Sequence, residues 1–129
     1  MSGLNRFSQF AALSGLLAVA LGAFAAHGLK NSLTTYELKI WNTAVFYQFI
    51  HTLLLLFIAN YKPFLSKKMR LTKIACFSSS VGIILFSGSL YLMALLKFSG
   101  LGLLTPIGGT FFIIAWSLLF YLFTTTKDD

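Results

Sequence analysis

The chain has 129 residues, 57% of them apolar and only 10% charged, with a formal net charge of +7. Soluble domains carry roughly 25% charged residues, so this composition excludes an ordinary water-facing surface and fits one membrane domain over residues 1–129. The positive charge does not point to nucleic acid. Half of the ten basic residues lie between Lys62 and Lys73 with apolar runs on both sides, a juxtamembrane distribution whose expected partner is anionic lipid.

A spanning helix needs about 20 mostly apolar residues. The first such segment, Phe7–Ala26, carries no charge. Ser14, Ala18, Gly22 and Ala26 recur every fourth residue along it, and Ala11 and Gly15 widen the stripe. Small residues let backbones approach closely in lipid, so this face is predicted to pack against another helix of the bundle or a second copy of the chain. Arg6, the apolar run and Ala23-Phe24-Ala25 imitate a signal peptide with its cleavage site. The uncharged stretch is longer than a usual signal core, and the segment is read as a retained span.

Gly28 is placed to form a left-handed cap on the first helix. Thr34 and Glu37 then have capping-box spacing. Leu33, Tyr36 and Ile40 recur at helical intervals, which predicts a short interfacial helical segment from Thr35 that continues into the second span, Trp41–Asn60. A helix over 35–60 would be about 39 Å long at 1.5 Å per residue. That exceeds the ~30 Å hydrocarbon core, so it must tilt, bend near Trp41 or project.

Lys62-Pro63 is predicted to end the second helix, because proline disfavours helical geometry in the residue before it. The third span is Ile74–Leu96. It holds Cys76, the single cysteine, which excludes an intrachain disulfide and reads as a small packing residue, with palmitoylation as the alternative. Thr105-Pro106 is predicted to open the fourth span, Pro106–Thr125, with threonine as N-cap and proline at the first helical position. Gly108 and Gly109 permit close approach one turn later. Links of 14, 13 and 9 residues, read off the span limits, suit antiparallel neighbours. The expected fold is an all-α membrane protein, a four-transmembrane-helix antiparallel bundle with an interfacial helical segment before helix 2.

Orientation follows from Lys and Arg at the span ends. Arg6, Lys62, Lys67, Lys68, Arg70, Lys73 and Lys127 share one side, against Lys30, Lys39 and Lys97 on the other. This predicts a multi-pass protein of the cell (inner or plasma) membrane with both termini in the cytoplasm. Trp41, Tyr61 and Tyr121 fall near span ends, as an aromatic belt would.

Polar groups inside spans are costly and are functional suspects. His27 ends the first span, and His51 lies near the membrane centre with Tyr47 and Gln48 one turn before it. Ser87, Ser89 and Tyr91 of the third span and Thr105 and Thr110 of the fourth fall in the same outer half. Together they make a candidate polar pocket, with a hydrogen-bonded structural network as the alternative. No metal or cofactor is expected. His27 and His51 are offset by up to about 15 Å along the axis, and Cys76 is at the opposite membrane face. No span carries a carboxylate, so no Ser–His–Asp or paired-carboxylate set can be assigned, and the chain reads as a non-enzyme.

The stretches Gly22-Ala23-Phe24-Ala25-Ala26-His27-Gly28-Leu29-Lys30 and Trp41-Asn42-Thr43-Ala44-Val45-Phe46-Tyr47-Gln48-Phe49-Ile50-His51 resemble the domain-of-unknown-function family 423, whose animal relatives are called transmembrane protein 256. Phe86-Ser87-Gly88-Ser89-Leu90-Tyr91 and Thr105-Pro106-Ile107-Gly108-Gly109-Thr110 fit the same family, so the resemblance covers nearly the whole chain. The family pattern has glycine before the alanine–histidine pair where this chain has Ala25, a small-for-small change. The resemblance implies a four-helix inner-membrane protein and supplies no catalytic residues. Two functions are expected to compete. One is association, as a homo-oligomer or accessory subunit of a membrane protein partner. The other is a small permeation or ligand-binding bundle with a proton-sensitive pocket in the outer half of the membrane.

Overall fold

A computed structural model describes residues 2–127. Its helices are α1 (Ser2–His27), α2 (Thr35–Asn60), the short α3 (Lys62–Lys67), α4 (Met69–Gly82), α5 (Gly88–Leu96) and α6 (Leu104–Thr125). A π-helical turn, Ile83–Ser87, joins α4 to α5, and a 3₁₀ turn, Ser99–Leu103, precedes α6. The protein is an all-α four-helix bundle. Four helical segments, 3–27, 35–60, 69–96 and 99–125, are long and apolar enough to cross a membrane.

The start of α2 is as the sequence predicts. The Thr34 hydroxyl accepts from the Glu37 backbone N–H at 3.2 Å, and the Glu37 carboxylate accepts from the Thr34 backbone N–H at 2.8 Å. Two of the N–H groups left over at a helix start are thereby satisfied. Glu37 also pairs with Lys97 at 3.2 Å, which ties the start of α2 to the end of α5. Thr34→Ala is expected to cost about 1 kcal/mol, the usual effect of a lost N-cap, read as the shift in denaturant unfolding in mixed micelles.

Other local expectations fail for identifiable reasons. Gly28 is not left-handed; among the described residues the one positive φ belongs to Lys97, at 55° after α5. The Gly28 and Leu29 N–H groups both reach the Phe24 carbonyl, at 2.7 and 3.1 Å. A side chain at Gly28 would meet the Phe24 ring, which would have to turn aside. Thr105 is not an N-cap. The helix begins at Leu104, and the Thr105 hydroxyl instead meets the Ser89 hydroxyl at 2.6 Å, joining α6 to α5. Trp41 is no belt residue. It is 2% exposed, and its indole N–H donates to the Leu21 carbonyl of α1 at 3.0 Å.

On α1 the small-residue face packs within the chain. Ala11, Ser14, Ala18 and Ala25 are buried, Gly15 and Gly22 are half-buried, and Ala26 falls on the exposed edge. Leu4, Ala11, Ala18 and Ala25 recur every seven residues, the repeat of two helices crossing at a shallow left-handed angle. On α2, Val45 faces Gly22 and Thr52 faces Gly15. A bulky side chain at those glycines would hold the backbones apart.

The helices are not arranged as a closed ring. α2 and the third span, α4 to α5, form a central pair; α1 packs chiefly on α2, and α6 chiefly on α4 and the π turn. At the α6 crossing, Gly108 lies against the backbone of Phe86 and Gly82 against the ring of Phe112. The packed interior has two apolar clusters. One gathers Leu55, Ile58, Phe64, Cys76, Ala115 and Leu122 near the chain termini and α3. The other gathers Ala25, Leu29, Trp41 and Ala94 toward the opposite end. Cys76 is fully buried, as a packing residue should be.

Candidate functional site

Between the two apolar clusters lies a layer of buried polar side chains: Ser14, Gln48, His51, Thr52, Ser79 and Ser87. The layer does not form one pocket. Gln48 and His51 are three residues apart, which places them about 60° apart around a helix of 3.6 residues per turn. Because α2 is buried on both sides, that angle sends Gln48 toward α1 and His51 toward α6.

Gln48 is the hub of the first group. Its Nε2 donates to the Ser14 carbonyl at 2.9 Å and to the Ser14 hydroxyl at 3.2 Å. A carbonyl only accepts, so the amide orientation is fixed and Oε1 faces the other way. There it accepts from the Tyr91 hydroxyl at 2.6 Å. Ser14 and Thr52 share a hydrogen bond of 2.7 Å. Ser87 donates to the Ala44 carbonyl at 2.7 Å. The Tyr91 ring meets Trp41 edge-on, with centroids 4.7 Å apart.

Ser14, Gln48, Ser87 and Tyr91 form the floor of a cleft of about 290 Å³ between α1 and the third span. Its walls are Phe10, Leu13, Leu17, Leu21, Ile83 and Ile84. Leu13, Leu17 and Ile84 are exposed at its mouth, so the cleft opens sideways, where lipid would stand. The π turn makes this arrangement. One extra residue in a turn rotates all that follows by about 100°; Ser87 is the last residue of the π turn and Tyr91 lies one helical turn beyond it.

His51 belongs to a second group on the other side of α2. The Trp116 indole N–H, which can only donate, reaches His51 Nε2 at 3.0 Å. Nε2 is therefore the acceptor, and Nδ1 carries the proton that goes to the Tyr47 carbonyl at 2.8 Å. Both ring nitrogens of a neutral imidazole are thus satisfied. Phe112 stacks on the ring with centroids 3.4 Å apart, and Ser79 donates to the His51 carbonyl at 3.2 Å. Tyr47, His51, Thr110 and Trp116 line a separate cleft between α2 and α6.

The nine residues of the predicted pocket therefore divide. Gln48, Ser87 and Tyr91 converge at the first cleft, and Tyr47, His51 and Thr110 at the second. Ser89 and Thr105 pair with each other between α5 and α6. His27 is exposed at the end of α1, apart from both groups. Sequence reasoning missed Ser14 as a polar partner, having placed it only on the packing face. It also missed Thr52, Ser79, Phe112 and Trp116. Of these Trp116 had a signal, since a tryptophan ten residues into a span is far from the interface that tryptophans prefer. Among the described residues, no group of three or more His, Cys, Asp or Glu side chains could hold a metal ion.

Comparison with known proteins agrees with this architecture. The chain is 42% identical over 113 residues to the UPF0382 membrane protein YwdK of Bacillus subtilis, covering 88% of this chain and 91% of that protein. It is 42% identical over 120 residues to a UPF0382 membrane protein of Haemophilus influenzae, covering 91% and 92%. It is 38% identical over 113 residues to the UPF0382 inner membrane protein YgdD of Escherichia coli, covering 85% and 82%. No solved structure gives a significant match. The model of the family described as "Protein of unknown function (DUF423)" matches residues 21–109, a stretch running from the Leu21 carbonyl that anchors Trp41 to the Gly108 crossing, and the chain belongs to that family of integral membrane proteins.

Proposed function

We propose that the protein is a non-enzymatic membrane protein that binds an amphipathic, membrane-dissolved molecule in the cleft between α1 and the third span. The observation that carries this reading is a laterally open, apolar-walled cleft whose floor is the Gln48–Tyr91–Ser14 network. Binding sites of small molecules are mostly apolar with a few placed polar groups. The geometry supports binding over permeation. The polar side chains form a layer with apolar clusters on either side, so no polar file runs along the helix axes within one chain. The small-residue face of α1 that favoured association is covered by α2 over most of its length.

The test is native mass spectrometry of protein released from mild detergent, beside Leu17→Trp, which fills the cleft from its wall. The wild type is expected to retain a small amphiphile that the variant loses. A wild-type protein that carries none, with unchanged melting when membrane lipid extract is added back, would overturn the reading.

Both termini are proposed to be cytoplasmic, with the 62–73 segment against anionic lipid. Lys62, Lys67, Arg70 and Lys73 are exposed there, while Phe64 anchors α3 in the core. A reporter that fluoresces only in the cytoplasm is expected to shine when fused to either end. A dark fusion at the C-terminus, at equal protein level, would reverse the topology.

A further inference from the structure

The hydrogen-bond inventory of the cleft floor narrows what it can hold. Tyr91 has one hydroxyl proton, and it is directed at Gln48 Oε1. Ser87 has one, and it is directed at the Ala44 carbonyl. The Gln48 amide nitrogen donates to the carbonyl and the hydroxyl of Ser14. What remains toward the cleft is acceptor capacity: lone pairs on Tyr91 Oη and Gln48 Oε1. No charged side chain lines the cleft.

From this, and resting on the binding role proposed above, we infer that the cleft is a site for a neutral, hydroxyl-bearing, single-chain amphiphile. Its hydroxyl donates to the Tyr91–Gln48 acceptors, and its chain lies between Leu17 and Ile84. A phosphate or carboxylate head would set lone pairs against lone pairs with no cation to offset the desolvation of its charge. An ammonium head would likewise be buried without a counter-charge. A neutral hydroxyl supplies the proton these acceptors lack without bringing a charge. The volume of about 290 Å³ is at the lower end of ligand sites and suits one chain.

The experiment uses the full chain in lipid vesicles with three photoreactive probes of equal chain length: a mid-chain diazirine hexadecanol, its methyl ether and the corresponding hexadecyl phosphate. Labelled peptides are mapped by mass spectrometry, and labelling of the α1 and π-turn walls is divided by labelling of the lipid-facing side of α6 in the same sample. The alcohol is expected to exceed the ether by about fivefold in this ratio, the preference one net hydrogen bond gives. The phosphate is expected to stay at background.

Tyr91→Phe is expected to remove the preference for the alcohol. Leu17→Trp, which leaves the network untouched, is expected to abolish wall labelling while melting as the wild type does. Equal labelling by alcohol and ether, preference for the phosphate, or a preference unchanged in Tyr91→Phe would overturn the inference and leave the general binding role standing. Labelling of the walls no stronger than that of α6 by every probe would overturn both.

Discussion

Gly108→Ala is expected to destabilise the protein by about 2 kcal/mol, although alanine is the better helix former. An added methyl would overlap the backbone nitrogen and Cα of Phe86. Backbone cannot rotate aside as a flexible side chain can, so α6 must shift away from the π turn, and overpacking of this kind costs about 1–3 kcal/mol. The shift would also disturb Phe112, which lies over His51 and against Gly82. The adjacent Gly109→Ala is the control. Its methyl meets the Phe86 ring at 3.8 Å, an ordinary contact, so it should be neutral or gain about 0.5–1 kcal/mol from helix propensity. Unfolding in mixed micelles, followed by circular dichroism, separates the two. Equal stability of both variants would show that the crossing has room to relax.

Gln48→Ala is expected to cost about 3 kcal/mol. Part is the cavity left by a buried side chain, and part is the loss of the acceptor for the Tyr91 hydroxyl. Tyr91→Phe alone should cost about 1 kcal/mol, near the upper range of side-chain hydrogen bonds measured inside membranes. The informative measurement is the double mutant. With Gln48 absent, Tyr91→Phe has no hydrogen bond to Gln48 left to lose, so the two costs should fall short of additivity by about 1 kcal/mol. Strict additivity would mean that the 2.6 Å Tyr91–Gln48 contact contributes nothing to stability.

The division of the polar layer also reframes His51. A mid-membrane histidine invites a reading as a proton carrier or ligand, yet its two nitrogens are engaged by Trp116 and the Tyr47 carbonyl. Its ring lies under Phe112, so it joins α2 to α6. Gln48, with no titrating group of its own, instead faces a cleft with acceptor capacity to spare.

What the sequence determined by itself is the part of the structure governed by local chemistry and by the bilayer. The deficit of charge and four apolar runs were enough for the number of spans. Thr34 and Glu37 were enough for the start of α2, because a capping box closes within one turn. Small residues on α1 were enough for a close-packing face. What they could not show is whether that face meets α2 or another chain, since both neighbours obey the same sterics. The tertiary structure alone decided that Gln48 and His51 part company, because a 60° difference on a helix matters only once both sides are occupied. It alone decided that Trp41 turns inward, that Thr105 bonds across to Ser89 rather than capping its helix, and that the third span carries a π turn. That turn follows from no local motif. It accompanies the Gly108 backbone pressed against Phe86, a contact between residues 22 positions apart that exists only when α4, α5 and α6 are packed.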